Sequence, residues 1–126
     1  MEQDIKAINE KVKKESVFVA STGIIGRRLS VVKIKRAIPA LANSLSRQGI
    51  NKAKKAIFTT DTFAKEVTVK FNLAGRVVTV CGIAKGAGMI APSMATMLAF
   101  IFTDANITQS ALDKSLKITT DNSFNC

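Results

Sequence analysis

The cleanest pattern in the chain runs from Lys65 to Leu73. Val67, Val69, Phe71 and Leu73 alternate with Thr68, Lys70 and Asn72, the period of two that sets one face of a strand on a core and the other in water. Ala74-Gly75 reads as a short turn, and Arg76–Ala84 returns as an almost continuous apolar strand. Together they predict a hairpin that delivers the chain to Lys85. From Lys85 to Thr96 the chain is first glycine-rich (Gly86, Gly88), then small and polar, with Pro92 fixing one further turn. At Met97 it becomes apolar, and Met97–Phe102 is expected to be ordered and buried.

The other segments carry shorter signals. Residues 3–14 space Ile5, Ile8 and Val12 by three and four among lysines and glutamates, which predicts an amphipathic helix. Ser16–Ala20 reads as a short buried strand running into a turn at Ser21–Gly26. Val31–Arg36 and Ile38–Leu45 carry apolar residues at helical spacing (Ile34, Ile38, Leu41, Ala42, Leu45), with Pro39 expected to begin a second helical piece. Gly49 marks a stop, Lys52–Ala56 a further helical turn and Ile57–Thr60 a strand end. Beyond Phe102, Asp104–Asn106 reads as a loop and Thr108 as the N-cap of a helix whose face is Ala111, Leu112 and Leu116. No stop signal or packing logic marks Asp121–Cys126, and there is no internal repeat, low-complexity segment or linker.

Length and composition narrow the chemistry. The chain of 126 residues is long enough for one domain with a core. It contains no histidine, which removes imidazole acid–base catalysis and most zinc sites, so no metal is expected. Cys81 and Cys126 form no metal or redox spacing, and a reduced, cytoplasmic setting fits better than a disulfide framework. No apolar run reaches the length of a membrane span, and the charged N-terminal stretch is not a secretory signal. The net charge of +10 is concentrated in residues 1–60, with 13 Lys/Arg against 4 Asp/Glu, while residues 61–126 hold 6 against 5. A basic half suits nucleic acid, an anionic membrane or small anionic substrates; acidic counterparts in further sequence would also explain it. Against nucleic acid, no binding motif is present and the seven phenylalanines lie mostly in apolar runs.

One position invites a specific chemistry. Thr96 sits at the loop-to-strand junction between Ala95 and Met97. Were the Ala95–Thr96 bond cut, Thr96 would own a free α-amine able to act as base for its own hydroxyl. The ordinary reading, a glycine-rich turn feeding a core strand, is favoured on this stretch alone.

Three separated pieces change that balance. Ser21-Thr22-Gly23-Ile24-Ile25-Gly26-Arg27-Arg28, Thr59-Thr60-Asp61-Thr62, and Lys85-Gly86-Ala87-Gly88-Met89-Ile90 running on to Ala95-Thr96-Met97-Leu98 resemble the ornithine acetyltransferase family, bifunctional glutamate N-acetyltransferases of arginine biosynthesis. Asn122-Ser123-Phe124-Asn125 is also similar to a family segment. The resemblance covers nearly the whole chain in the same order. It departs at Ala87 and Ser93, where members often carry Ser and Asn, and at Leu29–Val32, which lacks a proline and an acidic residue.

The resemblance implies an α/β fold with an αββα-type layered arrangement, shared in outline with a group of self-processing aminopeptidases. It implies that residues 1–126 are a single partial domain, an internal piece of a longer enzyme, with 1–95 before the cleavage point and 96–126 after it. Members cut their own chain at the bond matching Ala95–Thr96. The freed threonine takes acetyl from N-acetylornithine as an ester and passes it to glutamate. No cofactor is implied, although some members also accept acetyl-CoA. The partners implied are the two amino-acid substrates and the other segment of the same enzyme, in an assembly of processed chains, with neither nucleic acid nor membrane. Carried over by position, Thr96 is the nucleophile, Thr22 and Gly23 stabilise the oxyanion, and Thr59 and Lys85, with Thr96, bind substrate.

The physical chemistry suits these roles. Donors preorganised at a developing oxyanion are worth about 3–4 kcal/mol each, and a turn such as Thr22-Gly23 can aim a hydroxyl and a backbone N–H together. Lys85 is a compact cation suited to a carboxylate, which both substrates carry. Without the resemblance, Thr22 is a turn hydroxyl, Thr59 and Thr60 are strand residues, Lys85 is a solvated lysine and Asp61 a turn former. Two other functions stand beside acetyl transfer: an aminopeptidase-like amidase using the same Thr96, and a basic nucleic-acid-binding module.

Overall fold

The computed structural model describes residues 16–24, 26–46, 48–86 and 97–125. The helix expected over residues 3–14, and the Ala95–Thr96 junction, lie outside these. By its internal contacts the chain divides into two compact units, Met1–Ala53 and Lys54–Cys126. The described residues form three α-helices and one three-stranded antiparallel sheet, a mixed α/β fold.

In the first unit, the strand expected at Ser16–Ala20 is absent. The segment is irregular and exposed, Phe18 to 92%. A strand needs a neighbour to take its N–H and C=O groups, and none of the three strands pairs with this stretch. The turn that follows does form: the Arg27 N–H donates to the Ile24 carbonyl at 3.1 Å, with Gly26 at φ +82°.

Helix α1 spans Val31–Asn43 without interruption, with Pro39 inside it. The expected break at Pro39 does not occur. Proline removes the one hydrogen bond that would reach the Lys35 carbonyl, and on a helix with no buried residue water can take that acceptor instead. Ser44 closes α1, its N–H reaching the carbonyls of Ala40 (3.1 Å) and Leu41 (3.0 Å) and its hydroxyl donating to Leu41 at 2.8 Å. After Gly49 a short helix, α2, runs Ile50–Ala56. Its first turn closes on the Gly49 carbonyl, which accepts from Lys52 and Ala53 at 3.0 and 2.9 Å.

The second unit is built on the sheet. Ile57–Thr60 is not the expected strand end: the Phe58 N–H still bonds the Lys55 carbonyl (3.3 Å), so the chain leaves α2 in a turn. Strand β1, Lys65–Leu73, pairs antiparallel with β2, Arg76–Lys85, from Lys65 opposite Ala84 to Leu73 opposite Arg76. The connecting Ala74-Gly75 has φ of +49° and +80°, the doubly left-handed turn whose twist matches that of two strands. Strand β3, Leu98–Thr103, pairs with the other edge of β2, Lys85 facing Leu98 and Val80 facing Thr103. Past its end, Asp104 accepts the Thr79 N–H at 2.8 Å, which satisfies a donor that the ladder has run out of residues to pair. Helix α3, Gln109–Asp121, begins at Thr108, whose hydroxyl accepts from the Ala111 N–H at 3.3 Å as the N-cap pattern predicts.

The core lies on the central strand, where Val78 and Ile83 are the buried apolar residues among those described. The alternating face of β1 is not buried. Val67 is 62% exposed, and Val69, Phe71 and Leu73 are about half exposed. The end of β3 is similarly open at Ile101 and Phe102, against the burial expected of Met97–Phe102. A period of two defines which side chains share a face; burial needs a second layer, and the described residues leave this face largely open.

Candidate functional site

The chemistry gathers at one end of the sheet, where β2 finishes and β1 begins. Asp61 lies four residues before the start of β1 and ends the Thr59-Thr60-Asp61 turn. Its side chain is only 1% exposed and is ion-paired with Lys65. The same carboxylate accepts the Gly86 N–H, with Oδ2 at 3.1 Å and Oδ1 at 3.3 Å. The Lys65 hydrogen bond lowers the Asp61 pKa most; burial pulls the other way, and the Gly86 N–H adds to the lowering. The carboxylate is therefore held below the ordinary aspartate range. Lys65 also sets its ammonium 5.0 Å from the centre of the Phe63 ring, a cation–π distance.

Lys85 is the last residue of β2 and is 9% exposed. Lysines are almost never fully buried unless paired, so the ordinary expectation of a solvated surface lysine fails here. Gly86 follows at φ +132°, a conformation open only to glycine. A β-carbon at Gly86 would lie 3.4 Å from the Met97 Cγ. The chain thus leaves β2 and re-enters β3 at two residues in contact, with Lys85 opposite Leu98.

The sequence-derived site residues divide as follows. Thr59 lies two residues before Asp61 and is exposed, and Lys85 immediately precedes Gly86, so the Asp61–Gly86 bond ties their segments together. Thr22, half-exposed, and Gly23 belong to the other compact unit. There Gly23 is pressed by Leu29, whose Cδ2 would stand 3.2 Å from an added β-carbon. Ala95 and Thr96 lie outside the described residues. The reading of Asp61 as a turn former missed its role. A signal was present, since Asp61 and Lys65 are opposite charges four apart, but the Gly86 partner is 25 residues away and invisible to local pattern.

A second feature is an apolar groove of about 640 Å³ on the open sheet face, walled by Phe63, Val67, Val69, Val80, Ile101 and Phe124. In a pleated strand successive residues alternate faces, so Lys85 belongs to the face opposite Val80. The groove is mostly apolar sheet surface, bordered at one end by Lys65 and Glu66, and Lys85 does not line it. Among the described residues no group of three or more His, Cys, Asp or Glu is arranged to hold a metal, Cys81 is a free thiol, and no helix is long and apolar enough to cross a membrane.

A mixed α/β chain with a buried lysine and a glycine-bound carboxylate at a strand end is the class the geometry defines. A model of the ArgJ family matches residues 1–126, and the chain belongs to that family. It is 46% identical to the arginine biosynthesis bifunctional protein ArgJ of Caldanaerobacter subterraneus subsp. tengcongensis, over 98% of this chain and 32% of that protein. It is 50% identical to ArgJ 1 of Clostridium acetobutylicum, over 91% of this chain and 28% of that protein. With ArgJ of Thermotoga neapolitana the identity is 48%, over 98% of this chain and 30% of that protein. The chain therefore spans about a third of the length of these relatives.

Proposed function

We propose that this chain carries the self-cleavage and nucleophile segment of a cytoplasmic acyltransferase of arginine biosynthesis. The Ala95–Thr96 bond is cut, one water is taken up, and Thr96 gains a free α-amine. That amine takes the proton from the Thr96 hydroxyl as Oγ1 attacks the acetyl carbonyl of N-acetylornithine. Ornithine leaves with the proton, and acetyl stays as a threonine ester. The amine of glutamate then attacks the ester, forming N-acetylglutamate and freeing Oγ1. Thr22 and Gly23 donate to the oxyanion of each tetrahedral intermediate, while Lys85 and Thr59 bind substrate, Lys85 through a carboxylate. Acetyl-CoA is an alternative acetyl donor.

The observation that carries this reading most is the meeting of strand ends. Lys85 pairs with Leu98 across the ladder, so a buried cation stands beside the strand to which Thr96 is joined through Met97. Support also comes from relatives named as bifunctional proteins of arginine biosynthesis. The 126-residue chain, about a third of those relatives in length, does not complete the transfer by itself; it acts with the remaining segments of the enzyme in an assembly of processed chains.

Denaturing mass spectrometry of the purified chain tests the first step. Two pieces summing to the whole plus one water, the second beginning at Thr96, are expected, and Thr96→Ala is expected to give one uncut mass. An uncut parent chain would remove the self-cleavage step. In a transfer assay with N-acetylornithine and glutamate, the chain alone is expected to show no turnover, and normal turnover would overturn its incompleteness.

A further inference from the structure

We infer that Asp61 is a positioning residue for this site: its buried carboxylate grips the peptide between Lys85 and Gly86 and so fixes both the buried lysine and the start of the span that leads to Thr96. The inference rests on the function proposed above and assigns a role to a residue outside its substrate and nucleophile set.

The case begins with burial. Exposed turn aspartates bond their own neighbouring backbone and stay in water, whereas Asp61 is 6% exposed and its side chain 1%. A carboxylate withdrawn this far must have its lone pairs matched by donors. Lys65 supplies one, but it lies four residues away and is itself a third exposed, so that pair could form equally well at the surface. The contact that accounts for the burial is the other one, to the Gly86 N–H with both oxygens within 3.3 Å.

That contact has geometric reach. A peptide group is planar, so holding the Gly86 N–H also holds the Lys85 carbonyl and the Cα atoms of both residues. The direction in which Lys85 leaves the end of β2 is thereby set from Asp61. Gly86 is also where the backbone takes φ +132° and passes next to Met97, which a β-carbon at 86 would touch at 3.4 Å, and Met97 is bonded to Thr96. Because Thr59 is two residues from Asp61, one carboxylate joins two chain segments that the proposed chemistry needs in register, 59–61 and 85–86, and Gly86 in turn meets Met97, the sequence neighbour of Thr96. Asparagine at position 61 would keep the size but not the charge. It would also turn one of two acceptor oxygens into a donor facing either Lys65 or Gly86.

The test has two readouts. In the Thr96→Ala chain, where cutting is blocked, the Gly86 amide resonance is followed as pH is lowered. It is expected to shift as Asp61 protonates, with a midpoint below the ordinary aspartate range, and the shift is expected to vanish in Asp61→Asn. In chains retaining Thr96, Asp61→Asn is expected to slow cutting at Ala95–Thr96 at least tenfold, with partial recovery in Asp61→Glu. A Gly86 amide indifferent to Asp61, or Asp61→Asn cutting at the parent rate, would overturn the inference. A parent chain that never cuts would defeat the Thr96 chemistry instead, and the Gly86 amide would then decide the grip by itself.

Discussion

A β-carbon at position 86 would sit on a backbone at φ +132°, with Met97 at 3.4 Å. The distance alone is an ordinary contact; the dihedral is not. Gly86→Ala is therefore expected to destabilise the chain by roughly 1–3 kcal/mol, the range for a non-glycine residue forced into such a region. Urea unfolding would measure it, and an unchanged midpoint would show that the backbone relaxes at no cost. Asp61 makes a prediction about acid. Its folded pKa is lowered, first by Lys65 and also by the Gly86 N–H, so the unfolded state binds the proton more readily. The stability it adds is complete above the ordinary aspartate range and is lost as pH falls through the lower, folded value. Asp61→Asn is expected to flatten the acid side of the stability curve relative to the parent, as read from urea midpoints between neutral pH and about pH 2. Parallel acid limbs in the two proteins would contradict the lowered pKa.

Among the elements, the hairpin is the one most completely written in the sequence. The alternation from Val67 to Leu73 and the Ala74-Gly75 pair locate β1, the turn and β2 to within a residue of the ladder, because strand period and turn chemistry are both local properties. The turn nonetheless carries an imperfection. Ala74 sits at φ +49°, which costs a β-carbon-bearing residue about 1–2 kcal/mol, and asparagine tolerates that region far better. Ala74→Asn is expected to recover about 1 kcal/mol as a higher melting temperature, with no gain if the turn changes type. What was not legible has physical reasons of its own. Ser16–Ala20 has strand composition but no strand to pair with among the described residues, and composition cannot supply a partner. Pro39 suits a helix start, yet on an exposed helix its lost bond leaves an acceptor that water can reach. Asp61 has the local signature of a turn residue, and the Gly86 N–H that its carboxylate accepts lies 25 positions away. The Lys85 position was readable only as family resemblance, since nothing in its neighbours forecasts that a lysine is buried.

The chain carries a balance of +10, and its described residues present an open apolar sheet face with β1 and β3 at the edges. Exposed edges and apolar surface promote pairing with other copies, and like charge opposes it. Added salt screens the charge and leaves the apolar term, so self-association is expected to rise with ionic strength, as seen by sedimentation velocity. Val69→Lys, on the exposed face of β1, is expected to lower it without lowering the melting temperature; association that instead weakens with salt would assign it to the charges. The β2–β3 ladder bears on a different question. It holds the strands together from Val80–Thr103 to Lys85–Leu98, so a break in the backbone anywhere between residues 87 and 96 would leave the two sides paired. Folding of one chain would become an equilibrium between two, with a dissociation constant where there had been none. A native-state mass measurement would then find one species where a denaturing one finds two, and for such a protein dilution itself acts as a denaturant.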